Sequence, residues 1–212
     1  MELSEAFRLE NRPRRFPRLV GALAALLLLT SSIVLGLSIK SPFWSMELKA
    51  PQCPKGLHLS VFLNRVEGDV DEVNTLNHYI GVGRLELGAA VERTLGIPAT
   101  CALATLLLAG AGAALARRRW ATLLALPAIS FPGGFVIDLA YWMHRLSTNL
   151  DPHAPIKMKN ITFALSGETK VAQFVSRTAF EHGFHLAVAA AIGALVACVL
   201  IEVAARVDRR RP

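Results

Sequence analysis

Four long apolar runs constrain this chain more than any other feature of its sequence. They cover residues 19–39, 94–116, 120–143 and 184–205, and each is more than 20 residues long. A helix of about 20 residues crosses the roughly 30 Å hydrocarbon core of a bilayer. The first run exceeds the apolar core of a typical signal peptide, so we interpret it as an anchor. The sequence therefore predicts an all-α membrane protein with four transmembrane helices embedded in a lipid bilayer.

The basic residues are distributed unevenly between the segments that flank these runs. Twelve of the 23 Lys and Arg residues lie within residues 1–18, 117–119 and 206–212. The two longer segments, residues 40–93 (loop 1) and 144–183 (loop 2), hold the other eleven together with ten carboxylates. By the positive-inside rule, both termini and the arginine turn are cytoplasmic, and both loops lie outside. The net charge of +7 thus reflects topology, and we expect no nucleic-acid binding.

Loop 1 has a pattern of its own. Leu57, Leu59, Val61 and Leu63 alternate with other residues at a period of two, which predicts a half-buried strand. A turn follows at residues 67–69, and apolar residues then recur at helical spacing as far as Gly81. Asp69 and Glu72 have the spacing of a capping box. Loop 1 is therefore predicted to form a small strand-turn-helix cap, against which the proline-broken start of loop 2 is pinned.

All six histidines fall in the two loops or at the membrane edge beside them. They are His58, His78, His144, His153, His182 and His185. One interpretation is a metal or haem site on the outer face, since neutral imidazole is the commonest metal ligand. The other is that histidine is disfavoured in hydrocarbon and collects in loops for that reason alone. The sequence leaves both open.

The most specific local pattern among these residues is the pair His182 and His185. Residues spaced i, i+3 at the start of a helix face the same side, and Glu181 is placed to orient an imidazole. If the third and fourth helices are neighbours, His144 could converge with this pair. These three histidines would then suit haem b in an electron-transfer subunit. Two interfacial histidines that solvate a helix end are the alternative.

Two carboxylates lie within the apolar runs. Asp138 in the third run is a functional candidate because an unpaired carboxylate at membrane depth is costly. Tyr141, Trp142 and Arg145 follow it on one helical face, and Arg145 could simply neutralise it. The other carboxylate, Glu202, is near the cytoplasmic edge and is predicted to pair with Arg206 at i+4.

Cys53 is the only cysteine in the outer loops, and Met46 lies seven residues before it. With no second outer cysteine, an internal disulfide on that side is excluded, and with it a thiol oxidase or a quinone-linked disulfide enzyme. A thiolate, a thioether and imidazoles are together the ligands of a copper site, because soft sulfur ligands select Cu(I).

Several segments of the loops resemble a family of small bacterial membrane proteins found with the maturation factors of nitrous oxide reductase, a periplasmic copper enzyme. The resemblance covers about a third of the chain, and it lies in residues 50–57, 64–69, 77–81 and 149–156, of which Asn-His-Tyr-Ile-Gly at 77–81 is the most specific. The family pattern has Tyr at the position of Cys53 and Met at the position of Val82. The resemblance implies an accessory in the bacterial inner membrane, active in periplasmic copper delivery, cuproenzyme assembly or electron supply.

Three functions follow as expectations. In the first, the cap binds copper transiently through His78, with His58, Cys53 or His153, and exchanges it with a membrane or periplasmic partner, such as a cuproenzyme or its assembly factors. In the second, the chain is a haem- or quinone-linked electron-transfer subunit. In the third, it is a structural subunit of a larger membrane complex. No motif in the sequence demonstrates enzymatic chemistry.

Overall fold

Long apolar helices and a small antiparallel sheet account for most of the structure, a computed structural model that describes residues 15–50, 53–85, 88–116, 118–151, 153–155, 164–171 and 174–209. The helices are α1 (Arg15–Ser38), α2 (Val70–Ile80), α3 (Ala90–Leu115), α4 (Ala121–Thr148) and α5 (His182–Arg209). The strands are β1 (Trp44–Ala50), β2 (Cys53–Val61), β3 (Val66–Gly68), β4 (Gly167–Val171) and β5 (Phe174–Phe180).

Four of the helices, α1, α3, α4 and α5, are long and apolar enough to cross a membrane. They have 24 to 28 residues. At 1.5 Å per residue this gives about 36 to 42 Å, more than the roughly 30 Å of hydrocarbon in a bilayer. Large apolar side chains such as Leu23 and Ile137 are exposed on their outward faces, a surface suited to lipid. The prediction of four such helices is confirmed.

Small residues allow the helices to pack closely. α1 packs against both α3 and α5, and the buried residues at these contacts include Ala24 of α1 and Ala190 and Ala194 of α5. A Cβ added to Gly193 would lie 2.5 Å from the Ser31 hydroxyl oxygen, so a larger residue there would displace this side chain. Such close approach gives the van der Waals contact that holds helices together in lipid.

The helix ends differ from the apolar runs by a few residues. α4 continues to Thr148 and α3 begins at Ala90, because a helix continues as hydrogen-bonded backbone past the first charged side chain that ends an apolar run. The predicted pair near the end of α5 is confirmed, with Arg206 Nε 3.4 Å from Glu202 Oε1.

The two ends of the helix bundle differ. We call the end that carries the sheet the sheet side, and the opposite end, which carries Arg118 and Arg119, the arginine side.

The two loops join in one five-stranded antiparallel sheet, with strand order β3-β2-β1-β5-β4. β1 pairs with β2 on one edge and with β5 of loop 2 on the other. The strand predicted from the alternation at 57–63 is confirmed for residues 57–61, which belong to β2, but not for 62 and 63. The all-α fold class needs correction, because β1, β3, β4 and β5 complete a sheet that the sequence does not predict, with β3 overlapping the turn predicted at 67–69.

The cap helix α2 forms as predicted and ends at Gly81, whose φ of +80° is the left-handed conformation that favours glycine. Val73 of α2 packs on Leu57 and Leu59 of β2. The predicted capping box is wrong, because the Asp69 side chain does not cap α2. Its Oδ2 instead accepts a hydrogen bond from the His58 backbone N–H, at 2.8 Å.

Phe43 joins the sheet to the bundle. Its side chain is fully buried, and its ring centroid lies 6.2 Å from that of Phe131 and 5.0 Å from that of Phe135, both on α4. The α5 helix begins against the same point, since the Gly183 N–H donates to the Pro42 carbonyl at 2.8 Å. The sheet is thereby fixed in place over the sheet side of α4 and α5.

Candidate functional site

Loop 1 and loop 2 meet at a polar cleft on the sheet side, which we call the junction cleft. The Asp151 N–H donates to the Gly81 carbonyl at 2.8 Å, so the end of α2 is tied to the segment that follows α4. His78, Tyr79, Asn149 and Asp151 are among the residues that line this cleft, whose volume is about 980 Å³. The prediction that the start of loop 2 is pinned against loop 1 is confirmed.

Two histidines approach the Asp151 carboxylate. His153 donates its backbone N–H to Asp151 Oδ1 at 2.8 Å, and its Nδ1 lies 3.3 Å from the same oxygen. The His153 backbone N–H is the main cause that lowers the pKa of Asp151, and His78 also lowers it through its charge. The side chains of Asp151 and His153 are 58% and 91% exposed. Asp151 and His78 in the cleft, together with His153 beside Asp151, therefore present an ionised carboxylate and two imidazoles to solvent.

His58 lies elsewhere. Leu57 and Leu59 turn toward α2, so His58 between them projects from the opposite face of the sheet, where its partner across the strands is Glu47. α2, which carries His78, packs on the inner face. The structure therefore does not bring His58 to His78.

Of the two predicted sulfur ligands, Cys53 and Met46, only Met46 has a described side chain, and it does not line the cleft. Cys53 begins β2 opposite Ala50, and its side chain lies outside the described residues. Met46 packs with the apolar residues between the sheet and α2. Among the described residues, no three His, Cys, Asp or Glu side chains are close enough to form a ready metal site.

His144, His182 and His185 are all exposed and lie at different depths. Phe135 of α4 packs against Phe184 of α5, with ring centroids 5.9 Å apart. His144 follows Phe135 by nine residues, which places it about 13 Å further along the α4 axis than the level of His182 and His185. The structure therefore does not bring His144 to the other two, and a haem between them stays a prediction.

Glu181 interacts with the sheet. Its carboxylate accepts a hydrogen bond from the Ser45 hydroxyl at 2.6 Å, and its backbone carbonyl accepts one from the His185 N–H at 3.1 Å. The carboxylate thus ties β1 to the start of α5, and orientation of an imidazole by this group stays a prediction.

Asp138 faces a second cavity, beneath the sheet. Arg145 donates to the Tyr141 hydroxyl at 2.7 Å and lies over the Trp142 ring. The neighbours of the Asp138 carboxylate are Trp142 and Glu92. Trp142 was predicted to share a helical face with Asp138, whereas Glu92 was not predicted to be near it. The only sequence feature that could have indicated this contact is the position of Glu92 just before the second apolar run.

Comparison with models of known protein families finds no match for this chain, and a search of curated proteins finds none either.

Proposed function

We propose that this chain is a membrane accessory protein that binds a copper ion transiently in the junction cleft. In this proposal, the sheet side faces the periplasm, and the copper is exchanged with a cuproenzyme or one of its assembly factors. The observation that supports the proposal is the contact between loop 1 and loop 2 at Asp151. His78 and Asp151 line the junction cleft, and His153 contacts the Asp151 carboxylate.

The donor set favours Cu(II) as the bound form. Imidazole nitrogens and a carboxylate oxygen suit Cu(II), whereas Cu(I) is selected by sulfur. Within the described part of the chain, the residues that line the cleft include no Cys or Met. In this respect the proposal differs from a site built on Cys53.

The exposure of the donors supports transient rather than permanent binding. His153 is almost fully exposed, so a partner protein can reach the ion and supply further ligands. The three donors are not close enough to form a ready metal site among the described residues. They must move together around the ion, which gives weaker binding than a closed, four-ligand centre. Weak binding is what a protein that must release its copper requires.

The proposed orientation of the protein in the membrane follows from the distribution of its Arg residues. The described arginines of the Arg-rich segments, such as Arg18, Arg118 and Arg206, lie on the arginine side of the bundle. The positive-inside rule assigns that side to the cytoplasm. The junction cleft is then periplasmic, where a copper enzyme could reach it.

The test is a Cu(II) titration of the full chain purified in detergent. We expect about one high-affinity copper per chain. We also expect His78→Ala and His153→Ala each to weaken binding by more than the roughly tenfold that changes around a metal ligand commonly cost. His144→Ala is the matched control, because His144 is also an exposed histidine but, unlike His78, does not line the cleft.

Two results would contradict this assignment. One is equal loss of affinity in His144→Ala and in the two cleft variants, which would mean nonspecific binding to surface histidines. The other is loss of copper in Cys53→Ser while both cleft variants keep it, which would move the site to Cys53.

A further inference from the structure

A second cavity lies on the sheet side, between the inner face of the sheet, the start of α3 and the sheet-side half of α4. We call it the sheet cavity. Its volume is about 390 Å³, within the roughly 300 to 1,000 Å³ of small-molecule sites. Most of its wall is apolar, including Trp44 and Met46 of β1 and Phe131, Phe135 and Leu139 of α4.

A few polar groups converge in this apolar wall. Asp138 of α4 and Glu92 of α3 are close enough to interact electrostatically. The indole N–H of Trp142 lies beside Asp138 without hydrogen-bond geometry, and it has no other partner among the described residues. Arg93 also lines the cavity. An apolar cavity with a small number of convergent polar groups is the usual form of a ligand site.

The composition of the wall also indicates where a ligand enters. Ser130 and Gly134 line the cavity and are both exposed on α4. They lie within the apolar stretch of a helix that is long enough to cross a membrane. With only small side chains at these positions, the cavity is accessible from the side that faces lipid.

We propose that the sheet cavity binds a lipid-soluble hydroquinone. Its two hydroxyl groups donate hydrogen bonds to the Asp138 and Glu92 carboxylates, and its ring lies among the aromatic side chains. A carboxylate in apolar surroundings is costly unless it receives hydrogen bonds, and a ligand that carries donors supplies them. The Trp142 N–H can donate to a ring oxygen.

The charges argue against an ordinary phospholipid as the occupant. Among the described residues, two carboxylates and one guanidinium line the cavity, so an anionic phosphate would approach an excess of negative charge. A neutral head with hydrogen-bond donors avoids this repulsion. The proposal concerns binding alone and does not depend on the copper proposal.

The experiment measures binding of a hydroquinone with a ten-carbon tail to the full chain in detergent, under anaerobic reducing conditions. The readout is equilibrium partition, together with the tryptophan emission of Trp44 and Trp142. Trp120→Phe removes the tryptophan outside the cavity and should leave the emission change intact. We expect saturable binding of one molecule per chain. Asp138→Asn should weaken it about tenfold, the value of one hydrogen bond to a charged group.

Two adjacent glycines give a matched pair of variants. A Cβ at Gly133 or at Gly134 meets no atom within 4 Å, and both changes raise helix propensity, so both variants should fold. Only Gly134 lines the cavity. We expect Gly134→Leu to abolish binding and Gly133→Leu to preserve it.

A chemical control tests the role of the hydroxyl groups. The dimethyl ether of the same hydroquinone keeps the ring and the tail but cannot donate, and we expect it to bind at least tenfold more weakly. Equal binding by the ether and the hydroquinone would overturn the proposal, and so would equal binding by Gly133→Leu and Gly134→Leu. A copurifying phospholipid that the hydroquinone does not displace would also overturn it.

Discussion

The junction cleft and the sheet cavity both lie on the sheet side of the molecule, and each contains an aspartate. Asp151 in the cleft is exposed and accepts a backbone hydrogen bond from His153. Asp138 in the cavity lies among aromatic and aliphatic side chains, beside Glu92. An exposed ionised carboxylate beside imidazoles suits a hydrated cation, whereas a carboxylate in apolar surroundings suits a ligand that brings its own hydrogen-bond donors. The surroundings, rather than the residue type, therefore separate the two proposed chemistries.

The largest expected effect is the loss of both sites in a single variant, Phe43→Ala. Phe43 fixes the sheet to α4, so Phe43→Ala should leave a void at a fully buried position. Changes from a buried Phe to Ala commonly cost about 3 to 5 kcal/mol. Thermal unfolding in detergent measures the loss. Leu23→Ala, at an exposed position on α1, is the control, and equal destabilisation by both variants would argue against the junction that the structure shows.

A smaller loss of stability is expected where α5 begins. A Cβ at Gly183 would lie 2.6 Å from the Ser41 carbonyl oxygen and 2.8 Å from that of Pro42. Because both contacts are to backbone, Gly183→Ala should destabilise the protein by about 1 to 3 kcal/mol. At Gly36, also in a long helix, a Cβ meets no atom within 4 Å. Gly36→Ala should be neutral or stabilise by up to about 1 kcal/mol. The same unfolding assay would contradict this contrast if the two variants behaved alike.

Asp151→Asn should separate the two sites. Cu(II) affinity should fall about tenfold or more, as for other changes at a metal site, while hydroquinone binding should stay unchanged. Copper titration and hydroquinone partition on the same preparation provide the measurement. If both ligands were lost together, the two sites would not be independent.

The pH dependence of the cleft follows from the lowered pKa of Asp151. A lowered pKa means that the ionised form is favoured in the folded protein. Its interaction with His153 is therefore complete above the ordinary aspartate range and is lost as the pH falls through the lowered value. Copper titrations over a pH series should therefore show the effect of Asp151→Asn persisting into mildly acidic solution. Its disappearance in mildly acidic solution would contradict the lowered pKa.

The smallest expected effect lies at the far end of the bundle. Arg206 and Glu202 form an i, i+4 pair whose side chains are 73% and 46% exposed. Arg206→Ala should therefore change stability by no more than about 0.5 kcal/mol and leave both ligands unaffected. A large change in copper affinity, measured by the same titration, would mean that the arginine side is coupled to the cleft.

The long helices and α2 could be predicted from the sequence because their signals are local. Hydropathy alone finds the four long helices, and the spacing of apolar residues before Gly81 finds α2. The β5 strand has no such signal. Its inward residues Ser176 and Thr178 are buried but polar, and the Thr178 hydroxyl donates to the Ala164 carbonyl at 3.0 Å. The β5 strand therefore lacks the alternation of apolar and polar residues by which a strand is recognised from sequence.

The candidate sites could be predicted only in part. The sequence places every histidine near one side of the proposed membrane, but which of them meet depends on contacts between distant segments. The bond from Asp151 to Gly81 brings Asp151, and His153 bonded to it, to the end of the helix that carries His78. The alternation of β2 turns His58 to the other face of the sheet. The sheet cavity is a property of packing between the sheet, α3 and α4, and no local pattern marks it.

Pulsed electron paramagnetic resonance on the full chain with one equivalent of Cu(II) tests the central claim most directly, because it counts the imidazole nitrogens bound to the metal. We predict nitrogen couplings from two imidazoles in the wild type and in His144→Ala. We predict couplings from only one imidazole in His78→Ala and in His153→Ala. An unchanged two-imidazole spectrum in the double variant His78→Ala, His153→Ala would contradict the assignment of copper to the junction cleft.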